Sequence, residues 1–245
     1  MKAYWQTIEK ELELWQNEMS RAPILHERLS KALQSRINNL IPDKIHYAIS
    51  TAIKQMVRAM IFGSVKLTRK KYADLSIEQK DKRARERMQI YSNTSAAEGA
   101  ATGAGGFLLG MADFPIWLSL KMKMVHEIAN IYGFDIKDYK ERIFMLYIFQ
   151  LTFSSQLQRN KTFPILDEWE FQKEALPEDI NKFDWKTFQI EYRDYLDLMK
   201  LAQLIPGFGA FVGAYVNHKL TRKLGRNAIN AYHLRMLKDR QFDKE

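Results

Sequence analysis

The chain has 245 residues, of which 46% are hydrophobic and 27% charged. That length and balance support a sizeable packed core and argue against a disordered chain or a polytopic membrane protein. No cysteine is present, which excludes disulfides, thiolate metal sites and a cysteine nucleophile and fits a reducing compartment. The net charge of +9 favours anionic partners, either acidic lipid surfaces or nucleic acid.

The N-terminal residues run straight into amphipathic sequence with no apolar signal core, which speaks against export. Trp5, Ile8, Leu12, Trp15 and Met19 step by three and four and predict a first helix. Pro23 interrupts it, and Ile24 to Leu40 reads as a second helix. Pro42-Asp43 opens a third, with Ile45, Ile49, Ile53, Met56 and Met60 on one face and Gly63 at its end. From Lys66 to Arg87 nine basic residues stand against four acidic ones. This is read first as a solvated face. Tyr72 is its one aromatic residue, which weakens a reading as a stacking platform for single-stranded nucleic acid.

Glu98 to Pro115 then holds five of the eleven glycines. Glycine inside a helix costs about 1 kcal/mol relative to alanine, so this density predicts a close approach of backbone to something else. Ile116 to Ile131 resumes helical periodicity, and Tyr132-Gly133 predicts its C-cap. The uncharged run Ile143 to Gln158 predicts a buried helix. Phe163 to Asp197, with ten acidic and four basic residues, reads as a solvent-facing excursion of helix and loop. A shorter glycine segment runs from Ile205-Pro206 through Gly209 to Gly213, and a basic helix follows it. No strand-type alternation is sustained. The expectation is a single all-α, multi-helix domain over 1–245, its two glycine-rich segments packed closely in the core, with an acidic excursion at about 163–190.

The glycine segments match no nucleotide-binding or metal motif. A phosphate loop needs Gly-Lys-Ser/Thr, but Gly110 is followed by Met111-Ala112. A dinucleotide fingerprint from Gly103 and Gly105 meets Leu108 where glycine is required. His126-Glu127 imitates the start of a zinc motif, with Asn130 in place of the second histidine. No metal, cofactor or catalytic residue is expected from these patterns, and no recognised motif accompanies the charge to support nucleic-acid binding. The spacing does support close packing. Gly99 and Gly103, Gly106 and Gly110, and Gly209 and Gly213 are each four apart, so helix backbones can touch. The two segments would meet around a crevice holding Asp113 and Asn217. Gly99 to Leu120 carries one charge in 22 residues and Leu201 to His218 none in 18. The readings are burial in a core, a shallow membrane hairpin, or a span. Lys219, Arg222, Lys223, Arg226 and Arg235 follow as candidates for contact with an anionic lipid surface.

Taken together, these residues resemble the bacterial EcsC family: the glycine stretch ending Asp113-Phe114-Pro115, Tyr132-Gly133-Phe134-Asp135, Ile205-Pro206 with Gly209, Gly213 and Asn217, Gly225-Arg226, and Arg235. Trp15 and Ile41-Pro42-Asp43-Lys44 fit the same pattern. The family is named for its place beside an ABC transporter's ATPase and membrane subunits. The resemblance therefore implies a cytoplasmic protein at the inner face of the membrane, with transporter subunits as partners, and it supplies no catalytic residues. The expected function is non-enzymatic binding of a lipid or membrane surface. Two alternatives stand beside it. One is a hydrolase of lipid or peptide substrates using Asp113 or His126. The other is an adaptor of a membrane complex that makes its contact through the acidic section.

Overall fold

The structure is a computed structural model that describes residues 2–22, 43–62, 72–104, 106–182 and 210–242. All regular structure among them is helical. Eight helices follow in order: α1 (Lys2–Ser20), α2 (Asp43–Phe62), α3 (Ile77–Ala104), α4 (Gly106–Tyr132), α5 (Tyr139–Phe153), α6 (Gln156–Asp167), the single turn α7 (Trp169–Gln172) and α8 (Ala210–Phe242). The all-α expectation holds. The helix expected over Ile24 to Leu40 lies outside the described residues, as do Gly63 and Gly209.

The boundaries follow from local chemistry. Ser76 and Gln79 form a reciprocal capping box at the start of α3, the Gln79 amide donating to Ser76 Oγ and the Ser76 amide to Gln79 Oε1 at 2.9 Å. At the end of α4, Gly133 takes φ +98°, the left-handed region open to glycine. The Gly133 amide bonds the Asn130 carbonyl and the Phe134 amide that of Ala129, the Schellman arrangement expected of Tyr132-Gly133. The uncharged run Ile143 to Gln158 is not one helix. It breaks at Ser154-Ser155, where the Ser155 hydroxyl accepts from the Gln158 amide and starts α6.

The centre is a layer of three long helices. α3 and α8 are antiparallel and share the most extensive contact among the described helices. Asp81 meets His233 and Met88 meets Gly225, so seven residues forward on α3 match eight back on α8. Gly225 is where a side chain is excluded: a Cβ there would fall 2.5 Å from Met88 Cγ. α4 folds back on α3, placing Lys121 against Ser95 and Glu127 against Tyr91. One continuous core joins this layer to α1, α2, α5 and α6, with Trp15 edge-on to Phe163 at 5.4 Å.

The excursion expected from Phe163 begins instead as core structure. Phe163, Leu166 and Trp169 are buried because the apolar face of α6 and α7 packs inward, and Asp167 and Glu170 reach Lys238 and Arg235 of α8 rather than open solvent. Residues 183–190 of that section lie outside the described ones.

The candidate functional site at the glycine end of the three-helix layer

Because α3 runs antiparallel to both α4 and α8, the glycine-bearing parts of all three arrive at the same end of the layer. The arrangement is anchored by a buried polar layer. On α4, Trp117 Nε1 donates to Asn217 Oδ1 of α8 at 2.7 Å. One turn along α4, the Lys121 amine lies 3.7 Å from the centre of the Trp117 ring and 3.3 Å from Ser95 Oγ of α3. Ser95, Lys121 and Thr221 are fully enclosed and Asn217 nearly so. Thr221 turns its hydroxyl back to the Asn217 carbonyl at 2.8 Å.

Helix geometry fixes what stands one turn beyond this layer, since residues four apart share a face. Gly99 follows Ser95 by four on α3, Asp113 precedes Trp117 by four on α4, and Gly213 precedes Asn217 by four on α8. Gly103 lies at the last turn of α3, Gly106 opens α4, and Gly110 lies within it. Of the crevice pair, Asn217 is placed on Trp117. Asp113 is on the backbone of α4, and its side chain lies outside the described residues. Because α3 ends at Ala104 and α4, antiparallel to it, begins at Gly106, Gly99 to Leu120 is not one spanning helix. No helix among the described residues is long and apolar enough to cross a membrane.

Lys121 is the unusual group here. Burial holds its amine well below the ordinary lysine range, and the nearby Glu98 carboxylate opposes that only in part. The layer therefore contains a desolvated amine with a serine hydroxyl and an aromatic face for company.

The basic candidates on α8 separate by position. Lys219 and Arg222 are exposed near the glycine end and form no ion pair among the described residues. Lys219 Nζ stands 5.8 Å over the ring of Tyr215, itself 66% exposed. Lys223 is half-buried. Arg226 pairs with Glu18 of α1. Arg235 lies in the interior at the far end, so it is no surface group: it pairs with Glu141 at 2.7 Å and Glu170 at 2.8 Å and sits over the rings of Phe134 and Phe144.

That far end has its own polar network. Asp81 accepts from Tyr4 at 2.7 Å, from Tyr132 at 2.8 Å and from His233 at 2.7 Å. Burial alone would raise the Asp81 carboxyl, but these three partners outweigh it and hold it below its usual range. Tyr132 and Phe134 of the Tyr132-Gly133-Phe134 motif thus serve the far-end networks, and Gly133 serves the cap.

His126 is buried on α4, with Nδ1 2.8 Å from the Met122 carbonyl; burial brings its pKa down to about 4, and Arg142 pushes the same way. Glu127 points elsewhere, to Tyr91 at 2.9 Å and Arg87 at 3.4 Å. Among the described residues no three His, Asp or Glu side chains gather as a metal site requires.

Sequence reasoning did not single out Lys121, Ser95, Trp117, Asp81 or His233. A signal for the first was present: Trp117, Lys121, Val125 and Ile128 follow one helical stripe, and a lysine on an apolar stripe is the anomaly to notice.

The comparisons with known proteins bear on the whole chain rather than on this end alone. It is 44% identical to Protein EcsC of Bacillus subtilis (strain 168) over 226 residues, 92% of this chain and 93% of that protein. It is 25% identical to the uncharacterized protein YdbA of the same organism, over 98% of this chain and 92% of that one. No solved structure matches it. The model of the EcsC protein family matches residues 6–237, a range that takes in all the described glycines and both polar networks apart from Tyr4. This chain belongs to the EcsC protein family.

Proposed function

We propose that the protein binds an anionic membrane surface through the glycine end of its three-helix layer, as a binding protein rather than a catalyst. The observation that carries this reading is the exposed Tyr215 with Lys219 over its ring, and Arg222 one turn on, in the part of α8 at the glycine end of the layer. Tyrosine and lysine together suit a membrane–water interface, where the ring meets the headgroup layer and the amine meets acidic lipid. Each basic residue held near such a surface contributes about 1 kcal/mol, falling off within a Debye length. The sequence Gly105-Gly106-Phe107-Leu108-Leu109 supplies small and apolar residues for shallow contact. The cytoplasmic face is the side that carries acidic lipid, and the location we propose.

Liposome flotation tests this. The purified protein is expected to float with vesicles containing phosphatidylserine and not with pure phosphatidylcholine, and to lose binding as salt rises from 0.05 to 0.5 M (roughly a halving or more of the screening length). Flotation equal on both vesicle types, or none on either, would refute it.

A further inference from the structure

A second concavity lies on another face, where α1 runs beside α3 and α8. It is an open cleft of about 290 Å³. Its floor is apolar, made by the buried Trp15, Met88 and Ile229, and Leu14 forms a lip that is 72% exposed. Each end is closed by an ion pair between α1 and a central helix: Arg85 to Glu11 at 2.8 Å, and Arg226 to Glu18. Those glutamates are seven residues apart, which puts the two ends about 10 Å from each other along α1.

Asn230 marks the cleft as more than a surface irregularity. It lines the cavity and is only 6% exposed, yet its amide has no hydrogen-bond partner among the described residues. Its amide atoms are not sealed from solvent, so an unused donor and an unused acceptor open into the cleft and are available to a bound group.

We propose that this cleft docks a peptide segment. One leucine- or phenylalanine-sized side chain lies against Trp15, Met88 and Ile229, and the adjoining peptide group bonds the Asn230 amide. Three observations select a peptide over a lipid headgroup. Both ends are charge-neutral, each with one acid and one base, so no anion is favoured. Asn230 offers a donor and an acceptor together, which matches the N–H and C=O of a peptide group. The volume lies just below the range of small-molecule pockets and fits one large side chain with its backbone. Residues flanking that side chain find a complementary charge at either end. This inference is independent of the membrane reading.

The probe is N-acetyl-leucine N-methylamide, titrated into the full-length protein while the Met88 methyl and Asn230 side-chain amide resonances are followed. Saturable shifts of both are expected. Asn230→Leu should weaken binding about tenfold or more, the equivalent of one lost hydrogen bond, without lowering Tm, because no internal partner is lost. Two controls carry the alternatives: 3-methylbutanol, which has the side chain without the amides, and decyl phosphate, an anionic amphiphile. The proposal is overturned if either control binds as tightly as the probe, or if no resonance moves. It is equally overturned if the shifts occur without probe and vanish on dilution, which would mean a second copy fills the cleft, or if Asn230→Leu unfolds readily.

Discussion

The two ends of the three-helix layer bury comparable amounts of polar chemistry in opposite ways. At the far end the two buried carboxylates meet a cation or strong donors: Asp81 has His233 and two tyrosines, and Glu141 has Arg235 and Tyr232. At the glycine end the amine of Lys121 is enclosed with a serine hydroxyl and an indole face, and Glu98 acts on it only through space. These bonds tie α8 to α3, α4 and α5 and so fix helix register. A desolvated amine at the glycine end adds little to stability, and groups of that kind gather where a protein does its work. The difference teaches where to look: the far end is tied together by ion pairs, and the glycine end is the one our proposal assigns to a partner.

The largest expected effect lies at the far end. Arg235→Met keeps a side chain over Phe134 and Phe144 but leaves Glu141 buried without its cation. A loss of about 3–5 kcal/mol should appear in urea unfolding, and Glu141→Gln on top of it should recover much of that. An unchanged midpoint would remove the basis for calling this end the structural one.

Between the ends, His126 gives a pH test. An unfolded imidazole takes its proton near 6.5, this one only near about 4. Between those values the unfolded chain binds more protons, so stability rises with pH. The contribution is complete above 6.5 and lost as pH falls toward 4, up to about 3 kcal/mol. The wild type should lose that much more than His126→Leu across the interval. Parallel curves would show that the imidazole titrates normally.

Gly225→Ala probes the closest approach of α3 and α8. The new methyl meets Met88, and a cost of about 1–3 kcal/mol is expected from overpacking, relieved by Met88→Ala. The smallest effect belongs to Lys121→Met. Replacing a buried amine that touches no carboxylate by a similar apolar chain should be neutral, within about 1 kcal/mol, or stabilising. A loss as large as that of Arg235→Met would erase the contrast between the ends.

Much of the fold was legible because its signals are local. The stripe from Trp5 to Met19, the helix after the glycine stretch and the Tyr132-Gly133 cap each depend on residues within a few turns. The break at Ser154-Ser155 was hidden inside an uncharged run, where composition overrides the capping signal of Ser155 and Gln158. The inward packing of α6 was masked by its acids, because Phe163, Leu166 and Trp169 share a face that a charge count cannot register. At the site, glycine spacing picked out segments of α3, α4 and α8 that lie at one end of the layer, while the close approach that excludes a side chain is at Gly225, outside those pairs. Lys121 with Ser95, and Trp117 with Asn217, are pairings across helices. No spacing along one helix announces them.

The central claim is that the glycine end, and not the far end, meets anionic lipid. The absence of cysteine allows single labels to be placed cleanly, at Tyr215→Cys near the glycines and at Phe171→Cys, whose side chain is 73% exposed near Glu170 and Arg235. Collisional quenching of each label by a water-soluble quencher, with and without phosphatidylserine vesicles, separates the two ends. The account predicts that vesicles shield the label at 215 and leave the one at 171 open. Equal shielding of both, or shielding at 171 alone, would contradict it.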